Sequence, residues 1–252
     1  MKKNHDEACY RLDEMVNRMF DQLSALANNY QYIERAMEHS SEQIMYERVE
    51  EYREMANDPS YDRYFSESRQ ELANGTYRTR VSGIIANDLK SALRRTAAAS
   101  LVFAHSVFES CVYDLLRMTV EAGPEDWLPQ IRNKQVIVAD LAIHDVDEIL
   151  FQLVEERYRS LERRSVLEKI DTLFAVVAPP PNRKRFTQYI YDRARIEQID
   201  QSRHAVVHKD PLSYDPTKLK VDIEYLRVSV LWLGVPVLDK YNLHSKRRPL
   251  AP

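Results

Sequence analysis

The segment SRHAVVHKDP, residues 202–211, combines residue types that could do chemistry at a regular spacing. His204 and His208 are four residues apart, which places them on one face of a helix. Arg203 directly precedes the first histidine, and Asp210-Pro211 is a helix stop signal. The two histidines could be metal ligands, catalytic groups or ordinary surface residues, and each interpretation makes different demands on the rest of the chain.

A zinc site would suit the spacing of the two histidines, because zinc accepts imidazole ligands from one helix face. The metalloprotease motif HExxH needs a glutamate after the first histidine, and Ala205 stands there instead. No further cluster of His, Cys or carboxylate residues lies nearby in the sequence to complete four ligands. The sequence therefore predicts no metal and no other cofactor.

A surface position without any chemistry is the second interpretation. A cationic His208 next to Lys209, close to the C-terminus of a helix, would interact favourably with the helix macrodipole. In this interpretation Arg203 has no chemical role.

RNA cleavage without a metal is the third interpretation, and it uses Arg203 as well. An imidazole, with an ordinary pKa of about 6.5, can take the proton from a ribose 2′-OH. The activated oxygen then attacks the adjacent phosphorus, and a guanidinium stabilises the charge that develops on the equatorial oxygens. An Arg–His spacing this short arises readily by chance in an arginine-rich chain. The sequence context of the motif is therefore stronger evidence for RNA cleavage than the spacing itself.

The elements that must position these residues are predicted to be helices. Four glycines in 252 residues are too few for many tight turns or phosphate-binding loops, which need positive φ. We expect a long apolar helix from about Val81 to Gly123-Pro124, and two helices between 145 and 177. A helix over 184–210 and a final one over 219–241 follow. The sequence therefore predicts an all-α, up-and-down helical bundle.

The first third of the chain is predicted to be an N-terminal helical extension. One helix runs from His5 to about His39, Ser40-Ser41 interrupts it, and a second, polar helix reaches Pro59. A hairpin packed on the main body is expected, and an arm that binds a partner or guides RNA is the alternative. The predicted division is an extension over 1–78, a bundle over 79–245 and a basic, proline-containing tail over 246–252.

The net charge of −3 means that any nucleic acid must be bound by a local patch. The candidates precede the motif helix: Arg183, Lys184 and Arg185 could hold RNA phosphates, and Phe186 could stack a base. A basic, solvated helix start is the alternative.

The chain is expected to be cytoplasmic and not bound to a membrane. Cys9 and Cys111 fit neither a disulfide framework nor a CxxC metal site, which favours a reducing compartment. The N-terminus turns acidic where a signal peptide would be apolar, and the apolar run over 228–238 is too short to span a bilayer.

RHAVVH, from Arg203 to His208, resembles the R-x4–6-H motif of HEPN domains, in which the arginine is typically followed by Asn, Asp or His. The helix that carries SVFESCVYDLL, residues 106–116, resembles the first core helix of many members. The similarity covers roughly residues 81–245 in architecture and one short motif in detail. It implies a HEPN-like bundle of four or five helices with the motif on a late helix.

The resemblance also implies metal-independent endoribonuclease activity in a defence, toxin–antitoxin or RNA-processing system. Arg203 and His208 would be the catalytic pair, and His204 would be the intervening polar residue that supports proton transfer. A cognate antitoxin or another defence-system protein would be a further partner. HEPN toxins that a nucleotidyltransferase neutralises by AMPylation carry a tyrosine two residues after the histidine, where this chain has Asp210.

The predicted site needs two copies of the chain. On an ideal helix Arg203 and His208 are about 140° apart around the axis and about 7.5 Å apart along it. One copy cannot easily bring both to a single phosphate, so a homodimer with a composite cleft is expected. Glu109, on an apolar helix, is expected to pair with Arg203 or a neighbouring arginine, or to be an ordinary exposed glutamate.

The sequence thus predicts a HEPN-like endoribonuclease that acts on RNA as a homodimer. The alternative is a HEPN-fold adaptor or regulatory subunit that binds a protein or RNA partner without catalysis.

Overall fold

The computed structural model describes residues 2–61, 76–132, 145–178 and 191–243. Within these ranges 90% of the residues are helical and none is in a strand, so the predicted all-α class is confirmed. The α-helices of the described ranges are α1 (Lys2–Asn57), α2 (Tyr77–Ala122), α3 (Leu128–Ile131), α4 (Val146–Ser160), α5 (Val166–Val177), α6 (Arg193–His208) and α7 (Leu219–Tyr241).

Helix α1 is continuous, so the predicted break at Ser40-Ser41 is wrong. The Ser41 hydroxyl donates to the Glu38 carbonyl at 2.8 Å and is therefore satisfied inside the helix. Serine lowers helix propensity only slightly, and a neighbouring helix compensates for it. The expected hairpin is therefore replaced by one long helix.

The first half of α1 contributes to the main hydrophobic core, where it packs against α2 and α7. Its buried side chains there are Met15, Met19, Leu23 and Tyr30. The second half leaves that core and pairs with the start of α2 in a small separate cluster, made of Val81 and Ile85 with Ile44, Met45, Val49 and Leu89. The second half of α1 and the start of α2 thus form a two-helix arm, which is mostly polar outside this cluster.

Helix α2 is the central element of the bundle and contacts α1, α5, α6 and α7. It ends as predicted at Gly123, whose amide donates to the Thr119 carbonyl at 3.1 Å. The buried Trp127 then donates its indole N–H to the Thr119 hydroxyl at 3.1 Å, which satisfies the polar group that burial of this ring requires. The chain turns away from α2 at this point.

Helix α2 is also long and apolar enough to cross a membrane, judged by length and composition over Arg78–Ala122. Half of its most apolar window, with a mean hydropathy of 1.2, is buried by the other helices of the bundle. A core helix of a helical bundle has this character.

The later helix boundaries agree closely with the predicted ones. The region over 145–177 forms the two helices α4 and α5, and a reciprocal capping box between Ser165 and Glu168 starts the second. Helix α7 covers the predicted 219–241 and ends at Asn242, whose φ of 51° is a left-handed terminus. The start of α6 is the exception: the predicted start at 184 is wrong, since the helix begins only at Arg193, where the extended Asp192 caps it.

Candidate active site on helix α6

Helix α6 is capped at its start by a side chain and at its end by backbone hydrogen bonds. The Asp192 carboxylate accepts from the Ala194 amide at 2.9 Å at its start. At its end, the amides of Lys209 and Asp210 both donate to the Ala205 carbonyl, at 2.9 and 3.1 Å. The helix therefore stops directly after His208, so the stop signal predicted from Asp210-Pro211 is confirmed.

His204 and His208 lie next to each other on the solvent-exposed side of this last turn. Their ring centroids are 4.4 Å apart with the rings tilted by 45°, so both lie on one helix face as predicted. Neither imidazole is buried in the core. The pair is therefore accessible for proton transfer to and from a bound molecule.

Arg203 lies on a different side of the helix from this histidine pair. It is half-buried, and it shares its side with Ile196, which is fully buried two turns earlier. The Arg203 Nε atom is buried and has no hydrogen-bond partner among the described residues. The arginine and His208 are therefore separated around the helix, in keeping with the 140° expected from ideal geometry.

Asp200 and His105 form a contact that the sequence analysis did not identify. His105 lies on α2 with 1% of its surface exposed, and its Nε2 atom is 2.9 Å from Asp200 Oδ1. The N–H of His105 Nε2 does not point at Asp200 Oδ1. The two atoms are therefore in close polar contact, but the contact does not have hydrogen-bond geometry. A histidine within the apolar stretch of α2 was the available signal, since a core imidazole requires a polar partner.

Asp200 is also the charge that links this contact to the candidate residues. The close contact with the His105 imidazole holds the pKa of the Asp200 carboxyl below its ordinary value. The charges of Arg203 and His204 act in the same direction, whereas burial opposes the lowering. Asp200 is one turn before both residues, so its negative charge is placed between the core and the candidate site.

The expected pairing of Glu109 with an arginine is wrong. Its carboxylate accepts from Lys169 Nζ at 2.6 Å, and Lys169 is buried on α5. Glu109 is about one turn further along α2 than His105, so it lies beside α5 instead of beside the end of α6. A buried ammonium requires a partner of opposite charge, and Lys169 also lies 5.6 Å from the ring centre of Tyr113.

The loop that follows His208 is fixed by a buried carboxylate, Asp222 on α7. The Tyr214 hydroxyl donates to Asp222 Oδ2 at 2.7 Å, and Arg195 of α6 forms an ion pair with Oδ1. Burial raises the pKa of Asp222, and these two bonds act in the opposite direction. The three side chains tie α6, the loop and α7 together, so the end of α6 is carried by a rigid frame. No sequence pattern indicated this network.

A polar cleft of about 410 Å³ opens beside α6. Gln201 and Ala205, which lie between the histidine face and the cleft, form part of its wall. Lys218 contributes a positive charge from the opposite side. The cleft is therefore next to the candidate residues, and Arg195 and Asp222 also line it.

Two further predicted features lie outside the described residues: the basic segment Arg183, Lys184, Arg185 and Phe186, and the tail over 246–252. Within the described ranges, no three His, Cys, Asp or Glu side chains come together in a group that could hold a metal ion.

Comparisons of this chain with protein-family models, with curated proteins and with solved structures find no match.

Proposed function

We propose that this chain is a metal-independent endoribonuclease of the HEPN type. The observation that carries the proposal is the end of α6, which carries two accessible imidazoles and, on another side of the helix, an arginine whose Nε has no hydrogen-bond partner among the described residues. Both kinds of group are what 2′-OH attack on a phosphodiester requires: a proton acceptor and donor, and a fixed cation for the developing charge. The surrounding all-α bundle supports the resemblance of Arg203-His204 and His208 to the HEPN motif.

In the proposed reaction, one His208 imidazole takes the proton of the ribose 2′-OH, and the 2′ oxygen forms a bond to phosphorus. The bond from phosphorus to the 5′ oxygen breaks, and an imidazolium gives that oxygen a proton. Arg203 binds the equatorial oxygens while their charge increases. The products are a 2′,3′-cyclic phosphate and a 5′-OH, and His204 assists the proton transfer from the adjacent turn.

A homodimer is part of the proposal, because Arg203 and His208 of one chain are on different sides of α6. Two α6 ends facing each other across a two-fold axis would bring the arginine of one copy and the histidine of the other to the same phosphate. RNA would extend from there into the polar cleft, where Lys218 would meet a phosphate. A cytoplasmic role in defence, with an antitoxin or another partner protein, rests on the resemblance.

A non-catalytic adaptor is the second candidate, and the exposed side of the arm favours it. Tyr46 on α1 and Ile84 on α2 are 63% and 49% exposed, so the arm offers apolar side chains that a partner could cover. A protein that only bound a partner through this arm would not depend on Arg203 or His208.

The test is incubation of the purified protein with a model RNA and with a DNA oligonucleotide of the same sequence, both in excess EDTA. We expect RNA fragments that carry 2′,3′-cyclic phosphate and 5′-OH ends by mass spectrometry, and intact DNA, since DNA has no 2′-OH. His208→Ala should be inactive, whereas Lys209→Ala, which removes a neighbouring exposed cation, should cleave. Cleavage that EDTA abolishes and zinc restores would contradict the mechanism, as would fragments with 5′-phosphate ends.

A further inference from the structure

Asp200 occupies the position from which one side chain can act on two of the candidate residues. Arg203 and His204 follow it by three and four residues, so both lie over it on the next turn of α6. Arg203 forms no direct ion pair with any carboxylate of the described residues, and the Asp200 charge nevertheless acts on it. The carboxylate thus attracts the guanidinium without occupying its N–H donors.

This arrangement suits an arginine that must bind an anion. A bidentate ion pair with a carboxylate would use the same donors that a phosphate needs. Without any nearby negative charge, the long side chain would sample many rotamers and lose that freedom on binding. A carboxylate close enough to restrain the guanidinium, but not bonded to it, avoids both problems.

His105 supplies the fixed point for Asp200. It projects from α2, the central helix, and it is almost completely buried, so its ring has little room to reorient. The 2.9 Å contact joins it to Asp200 Oδ1, and its Nδ1 atom has no hydrogen-bond partner in the described part of the chain. Burial of an imidazole costs free energy unless a polar partner replaces its contacts with water, and Asp200 is the partner that the described residues provide.

We propose that Asp200, held by the buried His105, is a positioning residue that orients Arg203 and His204 for binding the scissile phosphate. The inference rests on the proposed function and adds to it two residues outside the motif. It also links the site to α2 through His105.

The first test observes the position of Arg203 directly and needs no enzymatic activity. In protein labelled with ¹⁵N-arginine, the Arg203 Nε–H signal, assigned with Arg203→Lys, should exchange slowly with water because this atom is buried. Asp200→Asn should broaden this signal or speed its exchange. Glu197→Gln is the matched control, because it removes the same charge from the same helix one turn earlier, where Glu197 pairs weakly with Arg193 at 3.9 Å. An unchanged Arg203 signal in Asp200→Asn would overturn the proposal.

Variants of His105 separate a positioning role from simple packing. His105→Gln keeps an N–H donor near the place of Nε2, so its Arg203 signal should resemble that of the wild type. His105→Leu keeps the apolar volume without the donor, and its signal should resemble that of Asp200→Asn. A wild-type signal in His105→Leu would show that the imidazole only fills space, and would overturn the proposal.

Cleavage kinetics provide the second readout. For folded Asp200→Asn, kcat should fall roughly 10- to 100-fold, the cost of a misplaced catalytic group. KM for RNA should stay equal or decrease, because a negative charge near the phosphate has been removed. Glu197→Gln should keep the wild-type kcat. An unchanged kcat with a lower fraction of folded protein would assign Asp200 a structural role only. If the wild type does not cleave RNA, the proposed function fails, whereas the Arg203 signal still decides whether Asp200 positions this side chain.

Discussion

His105 Nε2 on α2 lies 2.9 Å from Asp200 Oδ1 on α6, and this contact connects the centre of the bundle to the turn that carries Arg203 and His204. Buried polar groups of this kind constrain the structure, because each must keep its partner to offset the cost of leaving water. The candidate site is therefore tied to the core through Asp200, although its two histidines are exposed. The unfolding free energy of the protein should therefore depend on pH through the contact between His105 and Asp200.

The acid stability of the protein should depend on Asp200. The pKa of this carboxyl is lowered in the folded state, so its contribution to stability is complete above its unfolded value of about 3.9. The contribution is lost as the pH falls through the lower, folded pKa. The groups whose charges support the carboxylate are His105, Arg203 and His204. We expect the difference in unfolding free energy between wild type and Asp200→Asn, measured in urea, to be constant from pH 5 to about pH 4 and to shrink below it. A difference that grows on acidification would contradict this assignment.

Glu109 should be important for stability and unimportant for catalysis. Glu109→Gln leaves the buried Lys169 ammonium without its counter-charge, which should cost about 3 kcal/mol of unfolding free energy. Activity for each folded molecule should be unchanged, because Glu109 contacts α5 and not Arg203. Urea unfolding followed by an RNA cleavage assay measures both quantities. A stable variant that had lost its activity would restore the role that the sequence suggested for this residue.

Two glycines, Gly83 inside α2 and Gly123 at its C-terminal cap, should respond in opposite ways to alanine. A Cβ at Gly123 would lie 2.7 Å from Tyr241 Cε1 and 2.9 Å from Asp126 Oδ2, and these two side chains are hydrogen-bonded to each other. Gly123→Ala should therefore cost about 1 to 3 kcal/mol through overpacking.

Gly83 is the matched control for this overpacking. A Cβ there meets no described atom within 4 Å, and the residue lies inside the same helix. Gly83→Ala should stabilise the protein by about 1 kcal/mol, the difference in helix propensity. Thermal unfolding of both variants measures the two effects. Similar destabilisation by each would contradict the close packing of Tyr241 and Asp126 around Gly123.

Much of the fold could be predicted from the sequence because the signals that end these helices are local. Gly123-Pro124 closes α2, and Asp210-Pro211 closes α6, in each case through residue types that cannot continue a helix easily. The prediction failed at Ser40-Ser41, because serine disfavours a helix only weakly and packing against α2 keeps α1 intact. It also failed at the start of α6, since the extended backbone of Asp192 is anchored by Tyr225, 33 residues later.

The candidate site could be predicted only in part, for a similar reason. The shared face of His204 and His208 follows from helical spacing alone. The partner of Glu109 depends on which helix lies beside each turn of α2, and a single sequence does not contain that register. The contacts of Asp200 with His105 and of Asp222 with Tyr214 join different elements, so no local pattern indicated them.

The composite site is the central claim of this account, and mixed dimers test it most directly. Heterodimers of wild type with His208→Ala, identified by native mass spectrometry, should be assayed beside both homodimers. If the two His208 imidazoles serve one phosphate as base and acid, the His208→Ala homodimer should be inactive and the heterodimer should retain much less than half of the wild-type activity. The variant should keep the fold and the dimer mass, because His208 is exposed. A heterodimer with half the activity, or a wild-type monomer that cleaves RNA, would contradict the composite site.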